Sequence, residues 1–136
     1  MRQLNTILLI DDDDTTNYLN QRLLSRAVTD ATIRVVKNGE EALQYLRSAA
    51  SQTPDFPRPD LILVDIKMSV MDGFEFLEEY EKLENNLKDN IVLLMLTSSA
   101  SFYDLEKLKQ FPSVLKHYAK PLADADVREI VQKYFS

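Results

Sequence analysis

Five short apolar runs punctuate the chain: TILLI (Thr6–Ile10), TIRVV (Thr32–Val36), LILV (Leu61–Val64), IVLLML (Ile91–Leu96) and SVLKHYA (Ser113–Ala119). They are rich in Ile, Val and Leu and too short for helices, so they predict strands. The first, third and fourth are apolar on successive residues, the pattern of strands covered on both faces in a parallel sheet.

Between the runs the apolar period changes from two to about 3.6. Ala42, Leu43, Leu46 and Ala49 form one stripe, Phe76, Leu77, Tyr80 and Leu83 a second, and Val127, Ile130, Val131 and Tyr134 a third. Asn38 with Glu41, Asp72 with Glu75, and Ser101 with Asp104 each pair a capping side chain with an acid three residues on, which predicts helix starts. SAASQTPDFPRP (Ser48–Pro59), with three prolines, predicts a surface loop. The result is an α/β chain of five strands alternating with five helices. Such alternation implies a parallel sheet with right-handed crossovers and helices on both faces. No internal repeat or linker divides the sequence, and 136 residues suit a single domain, 1–136.

Ligands of open α/β sheets bind beyond the carboxyl ends of the strands. Asp11 and Asp12 follow the first strand, Asp65 the third, Thr97 and Ser98 the fourth, and Lys120 the fifth. The second strand ends in Lys37 and Asn38 and falls at the edge in the order 2-1-3-4-5. The four consecutive aspartates Asp11–Asp14 allow two readings, a solvated turn capping the next helix or a cation site. The order divides them: Asp13 and Asp14 suit a helix N-terminus, whereas Asp11 and Asp12 share the strand-end edge with Asp65. Three adjacent carboxylates do not all remain ionised without a cation. Oxygen donors alone suit a hard ion such as Mg²⁺, which often binds beside phosphate. With Thr97 as hydrogen-bond donor and Lys120 as positive charge, the set is equipped for phosphoryl transfer, and an aspartate carboxylate is an established nucleophile toward phosphorus.

The motifs LLIDDDD, LILVDIKMSVMDGFEFL, LMLTS and YAKPL, in that order on those elements, resemble the receiver domain of two-component response regulators over nearly the whole chain. That resemblance implies Asp65 as phosphoacceptor, and Asp11, Asp12, Asp65 and the backbone carbonyl of Lys67 as Mg²⁺ ligands. It implies Thr97 as the hydroxyl that senses the phosphoryl group, and Lys120, before Pro121 in a cis peptide, as its counter-charge. The donor would be a sensor histidine kinase or histidine phosphotransfer protein. The readout would be altered binding of a downstream protein at the face made by the helix after the fourth strand, the fifth strand and the last helix. A phosphorylation-dependent homodimer is a further outcome the family allows. Two positions depart from its pattern. Ser69 stands where proline is usual, which predicts a less rigid loop after Asp65. His117 stands where an aromatic switch residue is usual, and its imidazole also titrates near neutral pH.

Composition narrows the alternatives. A net charge of −6 argues against bulk nucleic-acid binding. No run approaches the ~18 apolar residues of a membrane span, and MRQLNT lacks the apolar centre of a signal peptide. Zero cysteines exclude disulfides, and one histidine makes zinc a poor fit. Together with the resemblance, these features make the expectation a stand-alone cytoplasmic signalling module and not a metabolic enzyme. The rival is a haloacid-dehalogenase-type phosphatase, because Asp11-x-Asp13-x-Thr15 matches its first motif with Asp11 as nucleophile. It requires a further acid-ended strand after the lysine and leaves Asp65 without a role.

Overall fold

Burial follows the apolar runs, and the order of the strands follows from it. In the computed structural model, which describes residues 3–51, 54–98 and 102–135 with the Phe102 side chain set aside, the strands are β1 (Thr6–Ile10), β2 (Thr32–Val36), β3 (Leu61–Asp65), β4 (Val92–Thr97) and β5 (Val114–Ala119). They form one parallel sheet in the order β2-β1-β3-β4-β5. Every residue of β1, β3 and β4 is buried, whereas β2 and β5 alternate with exposed positions, as sheet edges do.

The helices are α1 (Asp14–Ala27), α2 (Gly39–Ala50), α3 (Gly73–Lys82), α4 (Asn85–Lys88), α5 (Phe102–Leu108) and α6 (Asp124–Phe135). Successive strand residues point to opposite faces, so each central strand supplies two cores. Leu8, Ile10, Ile62, Val64, Leu93 and Met95 pack with the apolar stripes of α2 and α3 and with Leu108 of α5. Ile7, Leu9, Leu61, Leu63, Leu94 and Leu96 pack with Leu23 and Leu24 of α1 and with Val127 and Ile130 of α6. The sheet is therefore covered on both faces, and polar groups reach the strand ends instead of its middle.

The helix starts carry the expected side chains where they are described. Asp72 and Glu75 make a full capping box, with bonds of 2.9 and 3.2 Å. Asn38 accepts from Glu41 N at 2.9 Å, but Glu41 reaches back one residue further, to Lys37 N. The start assigned to Ser101 lies outside the described residues.

Two expectations are corrected. The loop expected from Ser48 begins three residues later, because α2 runs through Ala50. The serine–alanine cluster is compatible with helix, Ala49 completes the buried stripe, and the three prolines lie beyond it. The sequence also predicts five helices, and the structure adds the single turn α4. Four residues with no buried member show no periodicity to detect. Strand ends shift by one residue, so Asp65 and Thr97 are the last residues of their strands.

Phe76, fully buried between the sheet and Tyr80, anchors α3. Phe76→Ala is expected to cost about 3–5 kcal/mol, read as a fall in the urea midpoint.

Candidate phosphoacceptor site

The site grows out of three strand ends. Asp11 extends the β1–β2 ladder by one bond, its amide donating to Val36 O at 3.2 Å. Its side chain is buried, and Oδ1 accepts from Asp13 N at 2.9 Å. Asp65 ends β3 and is only 4% exposed. Lys120 leaves β5 through a cis Lys120–Pro121 peptide. Its ammonium lies 3.0 Å from Asp11 Oδ2 and 3.2 Å from Asp65 Oδ2, so one cation bridges two buried carboxylates. Asp12 is exposed, and its Oδ2 accepts from Ser69 N at 3.0 Å. One oxygen from each of Asp11, Asp12 and Asp65 lies within 4.8 Å of the others.

The electrostatics follow from this crowding. Burial, then the charge of Asp11, push the Asp65 carboxyl up to about 6, with Lys120 and the Lys67 backbone amide pulling the other way. Burial opposes the charge on Lys120, but its hydrogen bond to Asp11 and the charges of Asp65 and Asp11 outweigh it and raise its pKa. Three carboxylates against one ammonium leave two formal negative charges in a site built only of oxygen donors and that lysine. A hard divalent cation fits such a donor set.

The rest of the aspartate run behaves differently. Asp13 is the N-cap of α1, accepting from Thr15 N at 3.3 Å and Thr16 Oγ1 at 2.6 Å, and the Thr16 hydroxyl holds its carboxyl below the usual range. Asp14 opens the helix and pairs with Lys37. Thr97 is buried at the end of β4, one residue past Leu96, the ladder partner of Asp65, and its carbonyl accepts from Lys120 N at 2.9 Å. His117 is exposed on β5 and lines a shallow groove of about 430 Å³ with Leu105, Leu108 and Leu115. Lys67 is exposed in the turn after β3.

Two contributors escaped the sequence reading. Asn17, buried on α1, donates through Nδ2 to Asp11 O at 2.9 Å and so fixes the loop that carries Asp11 and Asp12. A polar residue on a helix's inner face was the signal available. The second is the Ser69 amide. In the same loop Ser69 O accepts from Met71 N at 2.8 Å, and Met71 O from Gly39 N at 3.0 Å.

The parallel sheet in this order carries a carboxylate–lysine site at its carboxyl edge. A family model for the response regulator receiver domain matches residues 7–132, and the chain belongs to that family. Its members are phosphorylated on aspartate in two-component signalling, as signalling modules and not classical enzymes. The chain is similar to sporulation initiation phosphotransferase F of Bacillus subtilis (strain 168), with 31% identity over 77 residues, 57% of this chain and 58% of that protein. It is similar to hybrid signal transduction histidine kinase L of Dictyostelium discoideum, with 27% identity over 134 residues, 96% of this chain and 7% of that protein. Among solved structures, a two-component response regulator from Cytophaga hutchinsonii superposes with a TM-score of 0.84 at 25% identity, over 98% of each chain. The chain thus spans less than two thirds of the length of both curated relatives. Among the described residues, no helix is long and apolar enough to cross a membrane. Of the rival phosphatase motif, Asp13, its second acid, is the N-cap of α1, and among the described residues α6 is the element after Lys120.

Proposed function

We propose that residues 1–136 act as one receiver domain in which Asp65 accepts a phosphoryl group from a phosphohistidine of a sensor kinase or phosphotransfer protein. The observation that carries this reading is the bridging of buried Asp11 and Asp65 by Lys120, with Asp12 completing the ring at the solvent edge. An oxygen of ionised Asp65 attacks phosphorus, the phosphorus–nitrogen bond breaks, and the imidazole leaves with that electron pair. Lys120 shifts from neutralising carboxylates to neutralising the new phosphoryl oxygens, and the Thr97 hydroxyl donates to one of them. Asp11, Asp12, Asp65 and the Lys67 carbonyl would hold Mg²⁺, and that ion would supply neutralisation of negative charge in the site.

The exposed groove between α5 and β5, with His117 on its rim, would be the surface that responds, together with α6. Its downstream partner is a protein, in keeping with the acidic charge, in the cytoplasm, and a phosphorylation-dependent homodimer is a second form the readout could take. Thr97→Ala is expected to retain labelling by acetyl phosphate while the phosphorylated protein loses most of the spectral change at β5 and α5, followed by amide NMR. Unchanged spectra of phosphorylated wild type and variant would remove Thr97 from the relay.

A further inference from the structure

Both glycines of the chain follow a side chain that can close a ring on the next backbone nitrogen: Asn38–Gly39 and Asp72–Gly73. In an Asn–Gly pair the unhindered glycine nitrogen attacks the side-chain amide carbon and expels ammonia, one reason asparagine counts as thermolabile. The fold demands both halves of each pair. Asn38 and Asp72 are the N-caps of α2 and α3. Gly39 and Gly73 are buried where an added Cβ would lie 2.8 and 2.5 Å from its nearest neighbour. The residues that build these two helix starts are therefore also prone to ring closure.

The structure holds both glycines in the same way. Gly39 N donates to Met71 O at 3.0 Å, and Gly73 N donates to Ile66 O at 2.8 Å. A nitrogen that attacks must first release its proton, and here a carbonyl holds each one. Both carbonyls belong to the loop between β3 and α3, one near each end. At position 38 the electrophile is tied as well. Asn38 Oδ1 accepts from Glu41 N at 2.9 Å, which keeps the side-chain amide over the first turn of α2. Asn38 is only half-buried, so these bonds and not burial hold the pair apart.

We propose that Asn38 is a deamidation site that the Met71 carbonyl keeps closed in the folded protein, and that opens when the loop after β3 leaves α2. In the open state the Gly39 amide gives its proton to hydroxide, and its nitrogen bonds to Asn38 Cγ. The Cγ–Nδ2 bond breaks, and Nδ2 takes a proton from water and leaves as ammonia. Water then opens the succinimide to aspartate, which still caps α2, or to isoaspartate, which lengthens the backbone at the tether.

The test is mass spectrometry with peptide mapping of wild type and Asn38→Asp, each held folded and in urea at mildly alkaline pH. Hydrogen exchange of the Gly39 amide is measured at the same pH in the folded protein. Unfolded wild type is expected to gain the mass of an amide turned acid at residue 38. Asn38→Asp shows no gain in that peptide. Folded wild type converts more slowly by at least the protection factor of the Gly39 amide, roughly tenfold or more. A smaller slowing means that the bond to Met71 is not the guard, and overturns the proposal. No conversion at residue 38 in urea overturns it too.

Discussion

Asp65→Asn is expected to make the metal-free protein more stable at pH 7, by about 2–3 kcal/mol. Burial and the Asp11 charge raise the Asp65 carboxyl from its ordinary 3.8 to about 6. Between those values the folded state holds a proton that the unfolded state has released. The stability contributed by neutral Asp65 is therefore fully present below pH 3.8 and is lost as pH rises through about 6. At neutral pH the folded wild type carries the whole penalty, and a neutral amide of similar shape removes it while Lys120 keeps Asp11 at 3.0 Å. Thermal melts in chelator should show the variant several degrees higher at pH 7, with the gap narrowing as pH falls toward 4. Saturating Mg²⁺ should narrow it from the other side, since ion binding stabilises the intact carboxylate set more than the variant. A variant no more stable than wild type at pH 7 would contradict the crowding argument.

Gly73→Ala is expected to damage both fold and site. An added Cβ would lie 2.5 Å from the carbonyl oxygen of Asp65 and 2.8 Å from Cα of Ile66. Both atoms are backbone, so no rotamer relieves the contact. The glycine is required by this close approach of α3 to the end of β3 and not by a positive φ. Its amide donates to Ile66 O at 2.8 Å, which draws the helix start against the strand. Relief must come from moving either α3 or the acceptor strand, at a cost of about 3 kcal/mol or more. Gly39 offers a milder comparison, since two of its three contacts are the flexible Met71 side chain. Urea denaturation of the two alanine variants should show the larger loss at position 73, accompanied there by weaker Mg²⁺ binding. Equal and small losses would mean that the β3–α3 turn is not held tightly.

How far these features were legible in the sequence depends on which interaction leaves a trace in composition. The central strands were readable because burial on both faces demands unbroken apolar runs, and α2 and α3 because their stripes and caps coincide. Asp11, Asp65 and Lys120 were readable because a charge just after a buried strand requires a partner, and three such positions share one sheet edge. The single turn α4 was not, since four residues are too few to show a period. The Ser48 boundary was misplaced because serine and alanine suit helix and loop alike. The bond from the Ser69 amide to Asp12, 57 positions away, was not readable, because main-chain donors have no sequence signature beyond the absence of proline.

The central claim is that Asp65 takes a phosphoryl group in a site completed by a divalent cation. Intact mass after incubation with acetyl phosphate, with Mg²⁺ or with chelator, tests it for wild type and Asp65→Asn. The account predicts a gain of one phosphoryl group in wild type with Mg²⁺ alone, and none in the variant. Full labelling of Asp65→Asn, or labelling of wild type that ignores the metal, would contradict it.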